Sequence, residues 1–432
     1  MKKFALPMGK GVQEVLLPED HILHDLHGNP ASVCDDLAAA TLEAIRNPIG
    51  SGPLKDIVAA GETVAIVVSD ITRLCGTAGF LPVIVAELNE AGVKDEDITV
   101  VVATGTHRGH TPEEDVVVCG EDLAKRLKIV QHDCRNQEQL TYVGTTSSGN
   151  KVSINKAITD ADKVILTGAV SLHPFAGFGG GRKALMPGCA AYETIMHNHA
   201  MTLSAVVGAG CNPACDCSLL EGNPVHKDMT EACALVNPDF LVNTVFTPDG
   251  EVHEVVAGHW YEAWYKGTQD LMAISSVEID ALADVVIASA GGFPKDMNLY
   301  QATKCHMNAV FAVKKGGIMI FTLETPDIME PAIFTGCMSR SDMDQFELDL
   351  RENFTVPGFV AFKSRSIVND VTAYLVTLPE NFDFVRKTGH IPCTSLEEAW
   401  ALAQEKLADQ GKKDYTITIM GHGSATLPVL KK

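Results

Sequence analysis

Short unbroken apolar runs alternate with longer stretches of helical periodicity along most of the chain. Residues 63–69 (TVAIVVS), 98–103 (ITVVVA) and 163–170 (KVILTGAV) are rich in β-branched side chains, the pattern of strands covered on both faces. Between them, 79–89 and 113–127 repeat apolar positions at helical spacing, and 128–131 reads as a further short strand. Residues 192–201 and 258–273 continue as helices, the latter placing Trp260, Trp264 and Leu271 among its apolar positions.

A second series begins near Ser276. Residues 283–289 and 317–323 read as strands, with the Gly291-Gly292 turn and a helix over 298–314 between them. Helices follow over 341–353 and 395–410. The last opens with Ser395 and Glu398 at capping-box spacing, carries Leu396, Ala399, Trp400, Ala403 and Leu407 on one face, and stops at Gly411. Strands alternating with helices predict an α/β fold: two domains with mostly parallel sheets flanked by helices, and the active site in the cleft between them. The expected domains are 1–272 and 275–408, with the tail (412–432, containing a strand at 415–420) crossing back to complete the first.

Composition narrows the partners. A formal charge of −21 over 432 residues excludes nucleic acid and anionic membrane surfaces as partners, because both require a basic face. A local group of cations still admits a small anionic substrate. Residues 1–9 are too poor in apolar side chains for a signal peptide, and no apolar run is long enough to span a bilayer. Twelve scattered cysteines, several within apolar stretches, fit reduced thiols in a cytoplasmic protein. Cys211, Cys215 and Cys217 cluster, but at no recognised zinc spacing.

Chemistry concentrates where the predicted strands end, the usual ligand position in open α/β sheets. After the first comes Asp70-Ile71-Thr72-Arg73; after the second, Thr104-Gly105-Thr106-His107-Arg108; after the third, Ser171-Leu172-His173-Pro174. The third runs into Gly177, Gly179, Gly180 and Gly181, then Arg182-Lys183, with His197 and His199 following. Glycines there let backbone N–H groups approach an anion, and a lysine beside them can hold phosphate or attack a carbonyl-type carbon. A Walker loop is excluded, since Arg182 and Ala184 stand where glycine and Ser/Thr are required. A dinucleotide fingerprint can be written from Gly179, but no acid follows between Glu193 and Asp216 to hold a ribose.

His197 and His199 lie about 200° apart on a helix, so one reaches the glycine segment while the other packs elsewhere or faces solvent. A histidine there suits nickel, zinc, copper or iron equally. In the second domain, Tyr300, Gln301 and Lys304 share a helix face. Arg73 offers a planar fork for a carboxylate.

Taken together and in this order, these motifs resemble the nickel-dependent lactate racemase family, over nearly the whole chain. The resemblance rests on 69–73, 103–108, 173–183, His199, and Pro294-Lys295-Asp296 through Lys304. It implies racemisation or epimerisation at C2 of a 2-hydroxy acid by transient hydride transfer to a nickel pincer nucleotide. Lys183 would tether that cofactor covalently and His199 would ligate its nickel. His107 and His173 would be the acid/base pair. Arg73, Tyr300, Gln301 and Lys304 would hold the substrate, with Asp70 nearby among the cofactor contacts. Thr104, Gly105 and Thr106, with Gly179, Gly180 and Gly181, would receive the phosphate. Enzymes that build the cofactor and insert nickel are implied as partners. Two histidines suit a reaction run in both directions, one base for each enantiomer. Residues 357–361 (PGFVA) are apolar where the family is more often polar, so a substrate side chain other than methyl is expected if that segment is a pocket-lining loop. A carrier that binds the nucleotide or metal without turnover, and an NAD-type dehydrogenase, are the competing readings.

Overall fold

The structure is a computed structural model describing residues 1–431. The chain forms two compact units: one from Ala31–Thr202 and Asn212–Ala273, the other from Met1–Pro30, Leu203–Cys211 and the chain from Ile274 onward.

The unit containing 31–202 is built on a six-stranded sheet. Its order is Val252–Gly258, Phe240–Phe246, Lys163–Val170, Val64–Ser69, Ile98–Ala103, Lys128–Gln131. All neighbours are parallel except the first pair, a hairpin. Val64, Ile66 and Val68 project into a core shared with Phe80, Leu81 and Ile84 from the helix Thr77–Glu90. The three β-branched runs thus lie side by side, and their polar sequels emerge at the same sheet edge.

The other unit has an all-parallel sheet ordered Ile391–Cys393, Thr372–Val376, Val313–Thr322, Ala283–Ser289, Ile417–Met420, Ile22–Leu26. Its core joins Val285, Ile287, Ile318 and Ile320 to Leu396, Trp400 and Leu407 of the helix Leu396–Asp409.

The structure corrects several expectations. The tail strand Ile417–Met420 does not complete the first unit: it pairs with Ala283–Ser289, and Ile22–Leu26 pairs with its free side. The chain's first thirty residues therefore also join the second unit. A sheet edge takes whichever strand satisfies its backbone groups, and no local pattern announces which. The helix expected over 113–127 is two, Pro112–Cys119 and Glu121–Arg126, parted at Gly120 with φ +84°. The 258–273 helix begins only at Glu262, because Gly258 still pairs with Leu241 in the sheet. The 298–314 helix ends at Ala309, one 3-10 turn before Val313 enters its strand. Residues 357–361 form no loop: they begin the helix Val356–Asn369, capped by Thr355, and Gly358–Ala361 are buried against protein. Ser395 caps its helix through the Glu398 N–H, but the Glu398 carboxylate turns to the N–H and hydroxyl of Thr394.

Candidate functional site

Three loops at adjacent strand ends carry the site in the unit containing 31–202. The turn after Val64–Ser69 places Asp70 in the interior, 2% exposed. Its Oδ2 accepts from His107 Nδ1 at 2.6 Å, and its Oδ1 accepts from the Thr72 N–H at 3.0 Å and hydroxyl at 2.6 Å. Burial alone would raise this carboxyl; the His107 and Thr72 hydrogen bonds outweigh it, with Arg73 adding positive charge, and hold it below the usual value. Asp70 therefore fixes His107 with its proton on Nδ1, leaving Nε2 as an open base on a ring whose side chain is 43% exposed.

The loop after Ile98–Ala103 is tight. The Thr104 carbonyl accepts from the His107 N–H at 2.8 Å, and Gly105 at φ +55° donates its N–H to Gly188 O at 2.9 Å. The Thr104 hydroxyl donates to the His132 carbonyl. Only Thr106 of this expected phosphate cluster is exposed.

After Lys163–Val170 the chain makes a short hairpin in which His173 pairs with Gly177. The 3-10 turn Gly181–Ala184 then brings Lys183 back, placing its Nζ 3.1 Å from His173 Nε2. Because the Ala176 N–H donates to His173 Nδ1, a neutral His173 carries its proton on Nε2, facing Lys183. Burial, aided by the nearby Arg73 and Arg182 charges, drives the Lys183 amine well below its ordinary range. Burial pushes His173 down likewise. The consistent state is a neutral amine accepting from a neutral imidazole.

Two of the three glycine amides expected to receive phosphate are already bonded within the protein. The Cα atoms of the run press on protein: a Cβ at Gly180 would lie 2.6 Å from Asn243 Oδ1 and 2.7 Å from the Ala169 carbonyl, and one at Gly181 would strike Trp264. The Gly179 N–H donates to Ser171 O at 2.7 Å and the Gly181 N–H to Asn243 Oδ1 at 2.8 Å, so neither is free for phosphate. The glycines serve close packing. Arg182, fully buried, donates to the carbonyls of Phe178 and Ala176 and stacks on Trp264, whose indole N–H holds the Gly179 carbonyl. Burial lowers Arg182 to about 9. This scaffold of Arg182, Trp264 and Asn243 escaped the sequence reading, which offers only the Arg-Lys doublet as a signal.

His199 lies in the interior on the helix Tyr192–Ala200, while His197 is exposed. The Phe175 ring meets His173 at 4.4 Å and His199 at 5.3 Å between centroids, with Lys183 Nζ 5.7 Å away. Burial brings His199 down to about 3, so its imidazole is neutral. Beside it, Asn198 donates to Asp228, a buried carboxylate that also accepts from Thr146, Ser148 and Asn150. Arg73, exposed, exerts its charge on Asp70, His173, Lys183 and His199 alike, which places all four in its neighbourhood.

Tyr300, Gln301 and Lys304 belong to the other unit, on the helix Leu299–Ala309 capped by Asn298. Gln301 and Lys304 are exposed, their side chains 3.4 Å apart, and Tyr300 packs edge-on against Phe334. The three clustered cysteines gather no metal-binding set: among the described residues, no group of three or more His, Cys, Asp or Glu side chains is placed to hold an ion.

Comparison with known proteins agrees along the chain. Residues 8–210 match the family model of the lactate racemase N-terminal domain, and 279–427 that of the C-terminal domain. Lactate racemase from Thermoanaerobacterium thermosaccharolyticum is 31% identical over 420 residues, covering 95% of this chain and 96% of that one. Lactate racemase from Lactiplantibacillus plantarum is 34% identical over 287 residues, 66% of this chain and 65% of its own. The lactate racemase apoprotein structure from T. thermosaccharolyticum superposes with a TM-score of 0.87 at 29% identity, over 100% of both chains.

Proposed function

From the premise that the chain belongs to the lactate racemase family and is an isomerase, we propose that it inverts C2 of a 2-hydroxy acid, with lactate as the default substrate, using a nickel pincer nucleotide. The supporting observation is the convergence of the Asp70–His107 pair and the His173–Lys183 pair on neighbouring strand ends around Arg73.

The residues suit such a group. Lys183 presents the unprotonated amine that a covalent tether requires, and His199 a buried, unprotonated imidazole of the kind that ligates a borderline metal. When bound, the cofactor supplies an acceptor for the α-hydrogen as hydride, which avoids a carbanion beside a carboxylate. The chain supplies the rest. The Arg73 fork binds the substrate carboxylate. His107 Nε2 takes the hydroxyl proton, and the Asp70 carboxylate stabilises the resulting imidazolium. His173 serves the opposite enantiomer. With the Lys183 amine taken up by a tether, the His173 Nε2–H would lose its acceptor; to take a substrate proton at Nε2 the ring must first move its own proton to Nδ1, giving up the hydrogen bond from the Ala176 N–H. Tyr300, Gln301 and Lys304 add a phenol, an amide and a cation for the substrate. Separate enzymes that build the cofactor and insert nickel are required partners.

The test is chiral chromatography of enantiopure D- and L-lactate, and of a panel of other 2-hydroxy acids, incubated with cofactor-loaded protein in the absence of NAD. Loss of enantiomeric excess with nickel retained on the protein is expected. A loaded protein that leaves every acid unchanged would make the chain a carrier.

A further inference from the structure

His110, three residues beyond His107, has a side chain only 1% exposed. The Ile71 N–H donates to His110 Nε2 at 2.8 Å, and His110 Nδ1 lies 3.0 Å from Asp115 Oδ1. Nε2 can accept only if the ring's proton is on Nδ1, the atom that faces the carboxylate; the two bonds thus specify one tautomer. Gln131 completes the frame. Its side-chain N–H donates to the same Asp115 oxygen at 2.9 Å, and its carbonyl accepts from the His110 N–H at 3.1 Å.

Ile71 sits between Asp70, which holds His107, and Thr72, which holds Asp70. One loop therefore grips the Asp70–Arg73 turn twice, by His107 on the Asp70 carboxylate and by His110 on the next amide. The geometry points to His110 as a positioning residue: with Asp115 and Gln131 behind it, it sets the turn so that Asp70 meets His107 and Arg73 faces the substrate. This inference rests on the proposed role of His107, but the turn geometry can be tested without that role. The charged groups facing His110 are Asp115 and, at longer range, Glu114; His107 faces Asp70, on which Arg73 and Arg108 both bear.

Two variants separate the possibilities. His110→Gln keeps an acceptor for the Ile71 N–H; His110→Leu keeps bulk and removes it. In cofactor-free protein, amide exchange at Ile71 and the carboxyl titration of Asp70, followed by NMR, report the turn directly. In His110→Leu, Ile71 exchange accelerates and the Asp70 carboxyl moves up, because burial remains while its hydrogen bonds weaken. His110→Gln stays close to the parent in both. In the loaded enzyme, His110→Leu lowers kcat by about 100-fold, the scale of a misplaced catalytic group, with a smaller change in KM. His110→Gln restores most of that rate. An unmoved Asp70 titration and unchanged Ile71 exchange in a folded His110→Leu would overturn the positioning role. Moved NMR signals in a protein whose parent shows no racemisation would leave the positioning intact and remove the racemase reading instead.

Discussion

Lys183 Nζ and His173 Nε2 stand 3.1 Å apart, and the hydrogen bond from Ala176 to the far nitrogen of His173 requires that the lysine be the acceptor. A lysine amine that accepts a hydrogen bond carries the free lone pair a nucleophile needs, which a protonated surface lysine lacks.

That state predicts selective chemistry. Cofactor-free protein treated briefly near pH 7.5 with a limiting amine-reactive acylating reagent should carry the label first at Lys183, as read by peptide mass spectrometry. Lys183→Arg should lose that labelling, and the loaded form of Lys183→Ala should retain no cofactor mass. Labelling spread evenly over exposed lysines would refute a neutral Lys183.

Asp70→Asn removes the anion that orients His107. Racemisation should fall by about 10²–10⁴, the range expected when an imidazole base loses its carboxylate. Nickel content should be unchanged, because Asp70 spends its two oxygens on His107 and Thr72. An activity loss that tracks nickel loss would reassign Asp70 to the cofactor.

The proposed acid/base pair separates from cofactor binding in the same way. His107→Ala and His173→Ala should each stop turnover while leaving metal and cofactor mass in place. A variant of either that racemises at the parental rate removes that histidine from the mechanism. Arg73→Lys, which replaces a fork by a point charge, should raise KM more than it lowers kcat.

Glycines at the site and elsewhere should respond oppositely to a methyl group. Gly181→Ala meets Trp264 at φ +56° and should cost roughly 2–4 kcal/mol by urea denaturation, while displacing Lys183. Gly336→Ala, in the helix Ala332–Met338 with nothing within 4 Å of the new Cβ, should gain about 0.5–1 kcal/mol. Equal effects would show that the glycine run is a surface turn.

Acid should destabilise the protein in two stages. Burial brings His132 to about 4 and His199 and His226 to about 3, so between pH 6.5 and those values the unfolded chain binds protons that the fold refuses. Stability then falls with pH by about 1.4 kcal/mol per unit for each such histidine. At lower pH Asp284 contributes. Burial opposes its charge, but Lys314, Lys412 and Thr416 hold it at about 2, so its stabilisation is present above its ordinary value of 3.8 and is lost as pH falls toward 2. Urea midpoints measured from pH 7 to pH 2 should show both stages, and Asp284→Asn should flatten the second.

Much of this was legible in the chain itself. A run such as 163–170 has nowhere to go but a sheet covered on both faces, and three such runs followed by polar residues put Asp70, His107 and His173 at strand ends. Burial and periodicity are local properties, so the sequence carried them, along with the residue types that acid/base and nucleophilic chemistry require. It did not carry the partners. Whether Asp70 meets a cofactor or His107, 37 residues away, depends on which strands become neighbours. Whether the glycine amides face an anion or Ser171 and Asn243 depends on how closely a loop seats against its sheet. Which unit the tail strand joins depends on competition for an open edge. Pairings of this kind are settled by many distant contacts forming together, and only the folded chain decides them.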